Sequence, residues 1–383
     1  MINKNKKTLT KNKKNTKKTQ KNNKSIGKKP LDDVDFFVPN FYQNNKLITS
    51  YSPTVNKDLV TLKTTPRQSI KDCNNKSAFE LKEPLKIGVP GFIYGNNCYK
   101  YSSNQAIKFL LKNLSANKHV NVSQIIPPKQ IESNCWFNAM FVLFFVSDKG
   151  RKFFHYFRQL MIKGTQKNGE IIPENLRDAF ALLNFGIEAC LTGNKYAYEL
   201  NSNSIIHKIF ESIPDKYKNK YSYIVDVKNG SNPLRYYLSI INYLNNNSIS
   251  FFIINNPSNW KKQLLTLNKS SKMPHIIAFE IFDIDSPTFL TKPLQFKINN
   301  ATYKLDSAVV RDITKQHFCC TITCEKQEMG YDGMSFHRIV PLEWKNKINN
   351  DFTWSFEGSV NNNKKPLEWN FTKSYYMLFY YRV

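Results

Sequence analysis

PPKQIESNCWFNAMFVLFFV, residues 127–146, places a single cysteine at the start of a run of aromatic and aliphatic residues. The length of this run and the turn residues around it predict a helix over residues 134–146, with Asn134 as the cap that accepts from first-turn N–H groups. Cys135 would then stand at the positive end of the helix, where free N–H groups favour a thiolate. A cysteine at an apolar helix start is nevertheless more typical of a buried structural thiol. The run alone leaves both interpretations of Cys135 open.

The rest of the chain divides into a helical half and a strand-rich half. Helical periodicity recurs in 150–163, 173–191, 202–213 and 232–244, and a shorter amphipathic helix is expected after Ser103. From about residue 249 the apolar period becomes two, which is typical of strands. The strand-like segments are 248–256, 274–284, 294–299, 302–311, 317–324 and 374–383, with a hairpin turn at Asn299-Asn300. We therefore expect an α+β fold, with the cysteine on a helical half and histidine on an antiparallel β-sheet half.

Charge is distributed unevenly along the 383 residues. The formal net charge is +27, and residues 1–30 hold twelve lysines without an acidic residue, which leaves +15 for the remainder. Residues 1–30 contain too few apolar side chains to order themselves, so we expect a disordered Lys-rich tail. Its lysines either bind an anionic partner or are simply solvated. Residues 31–119 are expected to form a partly ordered N-terminal extension, and residues 120–383 the main domain.

Apolar and cysteine patterns bear on the environment of the protein. The longest apolar run, residues 139–146, is far shorter than the roughly 18 residues that cross a bilayer, and no apolar signal segment follows the basic tail. Seven cysteines without framework spacing are expected to be mostly free and buried in a reducing compartment. We therefore predict a soluble cytoplasmic or nuclear protein that is not secreted and has no membrane partner.

Three of these cysteines, Cys319, Cys320 and Cys324, lie close enough in sequence to raise the question of zinc. The segment HFCCTITC alternates like a strand, so the adjacent cysteines should point to opposite faces of a sheet. A second pair of cysteines with zinc-ligand spacing is absent from the sequence. We therefore expect no metal and no other cofactor.

A set of residues with the chemistry of a cysteine peptidase occurs in a coherent order. Such an enzyme needs a stabilised thiolate, a histidine that exchanges a proton with it, and a polar group that orients the histidine. His317 opens a strand, and Asp332 lies fifteen residues further on beside glycine, so a hairpin would bring the two together. Gln130, five residues before Cys135, could complete an oxyanion hole with the Cys135 N–H.

The other five histidines are alternatives for the general base. Four of them, His119, His155, His207 and His275, have no acidic residue placed after a turn to orient them. His337 is the second candidate, with Asp351 or Glu357 as its orienting residue.

These segments resemble the ubiquitin-specific proteases, the papain-like deubiquitinating cysteine peptidases. QIESNCWFNAMFVLFF resembles their cysteine box, with Cys135, Trp136, Asn138 and Ala139 on matching positions and Gln130 in place of the oxyanion asparagine. YKLDSAVVRDITKQHFCCTI resembles the histidine box through His317, and MGYDG puts Asp332 on the third catalytic position. The closing segment SYYMLFYYRV is similar to the last strand of the family domain. The resemblance covers roughly residues 120–383.

The chain departs from the family pattern at several points. Gln316 replaces the glycine before the histidine, the Leu-Gln pair of the cysteine-box helix is missing, and no paired cysteines mark a zinc-bearing fingers region. The catalytic positions match better than the middle of the domain, which in the family holds ubiquitin.

The resemblance implies a thiol-dependent hydrolase that cleaves peptide or isopeptide bonds at the C-terminus of ubiquitin or a ubiquitin-like modifier. Cys135 would be the nucleophile, His317 the general base and acid, Asp332 the residue that orients the histidine, and Gln130 part of the oxyanion hole. Conjugates of ubiquitin or a ubiquitin-like protein would be the partners. The alternative is a basic nucleic-acid-binding or ubiquitin-binding protein on a degenerate protease fold, to which the charge of +27 points.

Overall fold

The computed structural model describes residues 68, 73–74, 76–90, 96–115, 119–244, 249–255, 259–269, 273–283 and 291–383. The expected disordered tail at residues 1–30 lies outside the described residues, as does most of the expected extension before residue 76.

The first half of the described chain is mainly helical. Its helices and those that follow are α1 (Lys76–Phe79), α2 (Asn104–Ser115), α3 (Cys135–Phe145), α4 (Asp148–Phe153), α5 (His155–Lys163), α6 (Glu174–Thr192), α7 (Tyr196–Glu199), α8 (Ser202–Ser212), α9 (Asp215–Lys220), α10 (Pro233–Tyr243) and α11 (Trp260–Leu265). The helix predicted over 150–163 is split at Phe154, which lies between the end of α4 and the start of α5. The other predicted helices match α2, α3, α6, α8 and α10. An apolar stripe runs along α2, α6, α8 and α10, whereas α3 is apolar on all sides.

The second half of the chain builds a sheet. The strands of the described residues are β1 (Lys86–Pro90), β2 (Asn96–Lys100), β3 (Phe251–Ile254), β4 (Ile276–Ile281), β5 (Gln295–Ile298), β6 (Ala301–Arg311), β7 (Phe318–Cys324), β8 (Gln327–Tyr331), β9 (Ile339–Pro341), β10 (Thr353–Trp354), β11 (Trp369–Asn370) and β12 (Tyr376–Arg382). In the part of the chain that the structure describes, the main sheet has the order β3-β4-β12-β6-β7-β8-β9, and β5 pairs with β6. Residues Asn299 and Asn300 form the predicted turn between β5 and β6.

One pair of strands corrects the expectation of an antiparallel sheet. β3 pairs with β4 in parallel, whereas the other strand pairs of the main sheet are antiparallel among the described residues. A parallel pair needs a crossover connection, and α11 lies in the segment between β3 and β4. Local periodicity predicts a strand but not the direction of its neighbour, so the sequence did not reveal this crossover.

The two faces of the main sheet belong to two different apolar clusters. On β6, Val309 packs into the cluster that contains α3, and the neighbouring Ala308 and Val310 pack into the cluster on the other face. On β7, Cys320 lies in the first cluster and Cys319 in the second, which confirms that the adjacent cysteines point to opposite faces. The helical layer thus covers one face of the sheet. Tryptophan-rich segments after β9 cover the other face.

The described part of the N-terminal extension packs on the same core as α3. Ile87 of β1 and Leu110 of α2 are fully buried in this cluster. Cys73 and Cys98 form a disulfide, which the expectation of mostly free thiols did not include. The other five cysteines, Cys135, Cys190, Cys319, Cys320 and Cys324, are free and buried as expected. Within the described residues, no helix is both long enough and apolar enough to cross a membrane.

Candidate functional site

Cys135 is the first residue of α3, the central helix of the larger cluster. All eleven residues of α3 are buried, because the helix is apolar around its whole circumference. Cys135 retains 8% of its surface exposed. The first intrahelical bond is donated by Asn138 to the carbonyl of Asn134, so the N–H groups of Cys135 and the next two residues have no acceptor within the helix. The thiol therefore lies where the helix favours negative charge.

Asn134 precedes the helix but does not cap it, contrary to the sequence prediction. Its Oδ1 accepts from the N–H of Ile131 and from Nδ2 of Asn138, at 3.1 and 3.0 Å. Its Nδ2 donates to Ser202 and Asn203 at the start of α8. Asn134 is fully buried, and a buried side chain with several partners has no acceptor left for the helix N–H groups. This network instead holds the loop before Cys135 against α8.

His317 lies directly before β7, at the end of the loop that connects β6 to β7. The carboxylate of Asp312 holds this loop, because Oδ1 accepts from the N–H groups of Gln316 and His317, both at 2.6 Å. Oδ2 of Asp312 accepts from the N–H of Thr314 at 2.8 Å. The backbone of His317 is thereby fixed from both ends of the loop, since its carbonyl also accepts from the N–H of Asp312.

Asp332 directly follows β8 and meets His317 across the β7–β8 hairpin. Nε2 of His317 lies 2.5 Å from Oδ1 of Asp332. The other carboxylate oxygen, Oδ2, accepts from the hydroxyl of Ser359, and Oδ1 also accepts from the N–H of Met334 at 3.1 Å. Asp332 is fully buried and His317 is 3% exposed, so the pair lies in a setting of low dielectric.

The neighbours of His317 determine its charge. Burial lowers the pKa of His317, but the hydrogen bond to Asp332 and then the influence of the Cys135 thiol outweigh burial and raise it to about 10. The ring is therefore protonated at neutral pH. Nδ1, the nitrogen that does not face Asp332, is buried and has no hydrogen-bond partner among the described residues. The thiol and the carboxylate thus both act on one imidazole ring.

Gln130 lies in the loop before α3, next to the glycine that follows Asp332. The N–H of Gln130 donates to the carbonyl of Gly333 at 2.9 Å, and a Cβ on Gly333 would come within 2.9 Å of that nitrogen. Only glycine permits this approach of the two loops. Nε2 of Gln130 donates to the carbonyl of Glu132, and its buried Oε1 has no hydrogen-bond partner. In this geometry the side-chain amide serves the loop itself.

The remaining histidines lie in other surroundings. His337 is exposed, and Asp351 makes an ion pair with Lys373 rather than with His337. His119 and His207 do contact carboxylates, of Glu325 and of Asp226 and Glu211, which the sequence analysis did not foresee. Both of these side chains are more than half exposed. His275 is buried beside Ser250, and His155 begins α5.

Sequence reasoning missed three residues that surround the His317–Asp332 pair. These are Asp312 and Ser359, described above, and Trp369, whose ring centroid lies 5.8 Å from that of His317. A single buried hydroxyl or carboxylate belongs to no periodic pattern or motif in the sequence. Only the fold shows that Asp312 and Ser359 lie beside the His317–Asp332 pair. Within the described residues, no group of three or more His, Cys, Asp or Glu side chains could hold a metal ion.

Comparison with known proteins finds a similarity to a solved structure but no similarity in sequence to a protein family or a curated protein. Neither a scan against protein-family models nor a search of curated proteins finds a match. Among solved structures, this chain is similar to one titled "Structure of the SAGA Ubp8/Sgf11/Sus1/Sgf73 DUB module", with a TM-score of 0.33 and 10% sequence identity over 68% of each chain. The fold class of helices with a multi-stranded sheet therefore rests on the elements of this chain itself.

Proposed function

We propose that the chain is a cysteine-type peptidase with a papain-like arrangement of its catalytic residues, which acts on ubiquitin or a ubiquitin-like modifier. Cys135 is the nucleophile, His317 exchanges the proton, and Asp332 orients the histidine. The peptidase unit corresponds to residues 120–383, and residues 31–119 are its N-terminal extension. The observation that carries the proposal is the buried contact of 2.5 Å between His317 and Asp332, together with the influence of the Cys135 thiol, which helps to raise the pKa of the same ring.

The proposed reaction has two steps. The Cys135 thiolate attacks the carbonyl carbon of the scissile bond, and the oxygen becomes an oxyanion. When the C–N bond breaks, His317 protonates the leaving amine and a thioester remains. A water molecule then attacks the thioester and gives its proton to His317. The acyl group leaves as a carboxylic acid, and the thiolate is restored.

The oxyanion is proposed to accept a hydrogen bond from the N–H of Cys135, because this N–H has no acceptor within the helix. Nε2 of Gln130 is the second proposed donor. Because this atom donates to the carbonyl of Glu132 in the free protein, the Gln130 side chain would have to turn toward the substrate. Two donors aimed at an oxyanion lower a barrier by about 3 kcal/mol each in typical acyl-transfer sites.

The substrate class is supported by the resemblance of the Cys135 and His317 segments to the ubiquitin-specific proteases. A ubiquitin probe with a C-terminal electrophile tests both the class and the nucleophile. We expect it to form a covalent adduct with the full-length protein, and Cys135→Ala to abolish the adduct. Cys190→Ala is the matched control, because Cys190 is another free, buried cysteine outside the site.

Failure of the probe has distinct meanings. If a general thiol reagent modifies Cys135 rapidly while the ubiquitin probe does not, the substrate class is wrong and the peptidase chemistry stands. If the folded protein reacts with neither, the alternative of a binding protein on a degenerate protease fold replaces the enzyme.

A further inference from the structure

A cavity of about 450 Å³ lies at the far end of the sheet from the candidate site, between α11 and the β5–β6 hairpin. β6 begins at Ala301 beside this cavity and runs eleven residues to Arg311, from which the loop to His317 starts. At about 3.3 Å per residue, the strand alone separates the cavity from the candidate site by roughly 35 Å. Ligands in the two places would therefore not touch each other.

The cavity stands out by its charge. Residues 251–279 contain four lysines and residues 291–305 contain three, and neither segment has an acidic residue. Lys261 and Lys297 line the cavity, and Lys262 and Lys304 are exposed on the same two elements. Among the described residues, no carboxylate forms an ion pair with any of these four side chains. Their charge is thus available to a bound anion.

The wall of the cavity is aromatic. Trp260 and Phe296 are half-buried, and their ring centroids lie 5.9 Å apart. Phe279, fully buried, packs beneath both rings at 5.5 and 5.9 Å and keeps them in place. Leu265 at the rim is 61% exposed. Nζ of Lys261 lies 5.6 Å from the centroid of the Trp260 ring. Half-buried rings that are held from below offer a surface on which planar groups can stack.

We propose that this cavity binds single-stranded nucleic acid, with a base against Trp260 and Phe296 and backbone phosphates at Lys261 and Lys297. Aromatic surfaces beside lysines that no carboxylate neutralises are the combination that holds single strands without sequence preference. An acidic peptide would satisfy the lysines but leave the aromatic surface without a planar partner. The inference is independent of the proposed peptidase function, because it uses none of the residues of that site.

The test is fluorescence anisotropy of the full-length protein with labelled 12-residue thymidylate and uridylate oligomers across a salt series. The double variant Lys261→Gln/Lys297→Gln is compared with Lys228→Gln/Lys365→Gln, which removes the same charge from exposed positions elsewhere. Each lost phosphate contact reduces the slope of log K against log salt by about 0.7 for single strands. We therefore expect Lys261→Gln/Lys297→Gln, the cavity variant, to reduce this slope by about 1.4 and the affinity by about tenfold or more. The control variant should change neither quantity. The better of the two oligomers identifies DNA or RNA.

Tryptophan fluorescence supplies a second readout. The other four tryptophans, Trp136, Trp344, Trp354 and Trp369, are buried, so quenching by the oligomer reports on Trp260. Trp260→Phe keeps an aromatic ring in place and should remove the quenching. Equal affinity and slope in the cavity variant and the control variant would assign binding to the lysine tail and overturn the proposal. Binding of a polyglutamate peptide or of phosphatidylserine vesicles at these lysines, without binding of either oligomer, would overturn it too.

Discussion

Nε2 of His317 lies 2.5 Å from Oδ1 of Asp332, although fifteen positions separate the two residues in the chain. The register of β7 and β8 explains this contact. Cys320 pairs with Tyr331, so Asp332 lies opposite Cys319, and His317 is two residues from Cys319 and therefore on the same face. A shift of one residue in this register would send Asp332 to the other face.

Asp332→Asn should lower kcat/KM by about 10²- to 10⁴-fold, because His317 loses the carboxylate that orients and stabilises its protonated ring. The measurement is hydrolysis of a ubiquitin C-terminal amide with a fluorogenic leaving group. His337→Gln is the control and should leave kcat/KM nearly unchanged. If His337→Gln were the more damaging change, the role of the base would pass to His337.

Ser359→Ala should reduce kcat/KM by roughly tenfold, since Asp332 loses the hydroxyl that holds its second oxygen. The variant should also lose about 1 kcal/mol of stability, measured by urea unfolding, because one oxygen of the buried Asp332 carboxylate is left without its hydrogen bond. Ser355→Ala, at an exposed position on the same segment, should change neither quantity. Equal activities of the two variants would show that Ser359 has no positioning role.

Gly333→Ala should displace the loop that carries Gln130, because the new Cβ would lie 2.9 Å from the Gln130 nitrogen. We expect kcat/KM to fall by about tenfold or more, as misplaced catalytic groups lose much of their effect. Gly186→Ala is the matched control, since the nearest atom to its Cβ is at an ordinary 3.5 Å. Full activity of Gly333→Ala would mean that the loop moves without consequence for the site.

The raised pKa of His317 makes a pH-dependent contribution to stability. Burial lowers this pKa, but the hydrogen bond to Asp332 and the influence of the Cys135 thiol raise it to about 10, above the value of about 6.5 for an unfolded histidine. The contribution is therefore fully present below about pH 6.5 and is lost as the pH rises through about 10. The difference in unfolding free energy between the wild type and His317→Gln should shrink from pH 6 to pH 10 in urea titrations. A constant difference would contradict the protonated state of the ring.

The buried Asp306 on β6 also makes the stability of the wild type fall as the pH rises, but in a lower pH range than His317. Burial raises the pKa of Asp306 to about 7, and its Oδ2 has no hydrogen-bond partner. The wild type thus loses stability as the pH rises from about 4 through 7, when the buried group must ionise. Asp306→Asn should gain about 1 to 3 kcal/mol relative to the wild type between pH 5 and pH 8, measured by urea midpoints.

Asp351→Asn is the control for Asp306. A hydrogen bond to Lys373 lowers the pKa of the exposed Asp351, so the group is ionised throughout the range from pH 5 to pH 8. The difference between Asp351→Asn and the wild type should stay level there. A level difference for Asp306→Asn as well would show that Asp306 ionises without cost in the fold.

Most of the secondary structure could be predicted from periodicity, because each apolar stripe is a local pattern. α6 and α8 and strands such as β6 and β7 lie where the pattern placed them. The parallel pair β3–β4, the disulfide between Cys73 and Cys98 and the break at Phe154 were not predicted. The parallel pair and the disulfide depend on which distant segment lies alongside, and that information is not local.

The order of Cys135, His317 and Asp332 along the chain, and the apolar helix behind the cysteine, are properties that local sequence was enough to determine. Packing in three dimensions alone decided that Asn134 bonds to α8 instead of capping α3. It also decided that Asp312 and Ser359 hold the His317–Asp332 pair. The same is true of the lysines and aromatic rings that lie together at the far end of the sheet. The physical reason is that a buried polar group must find whichever partner the fold brings within reach. That partner can lie anywhere in the chain.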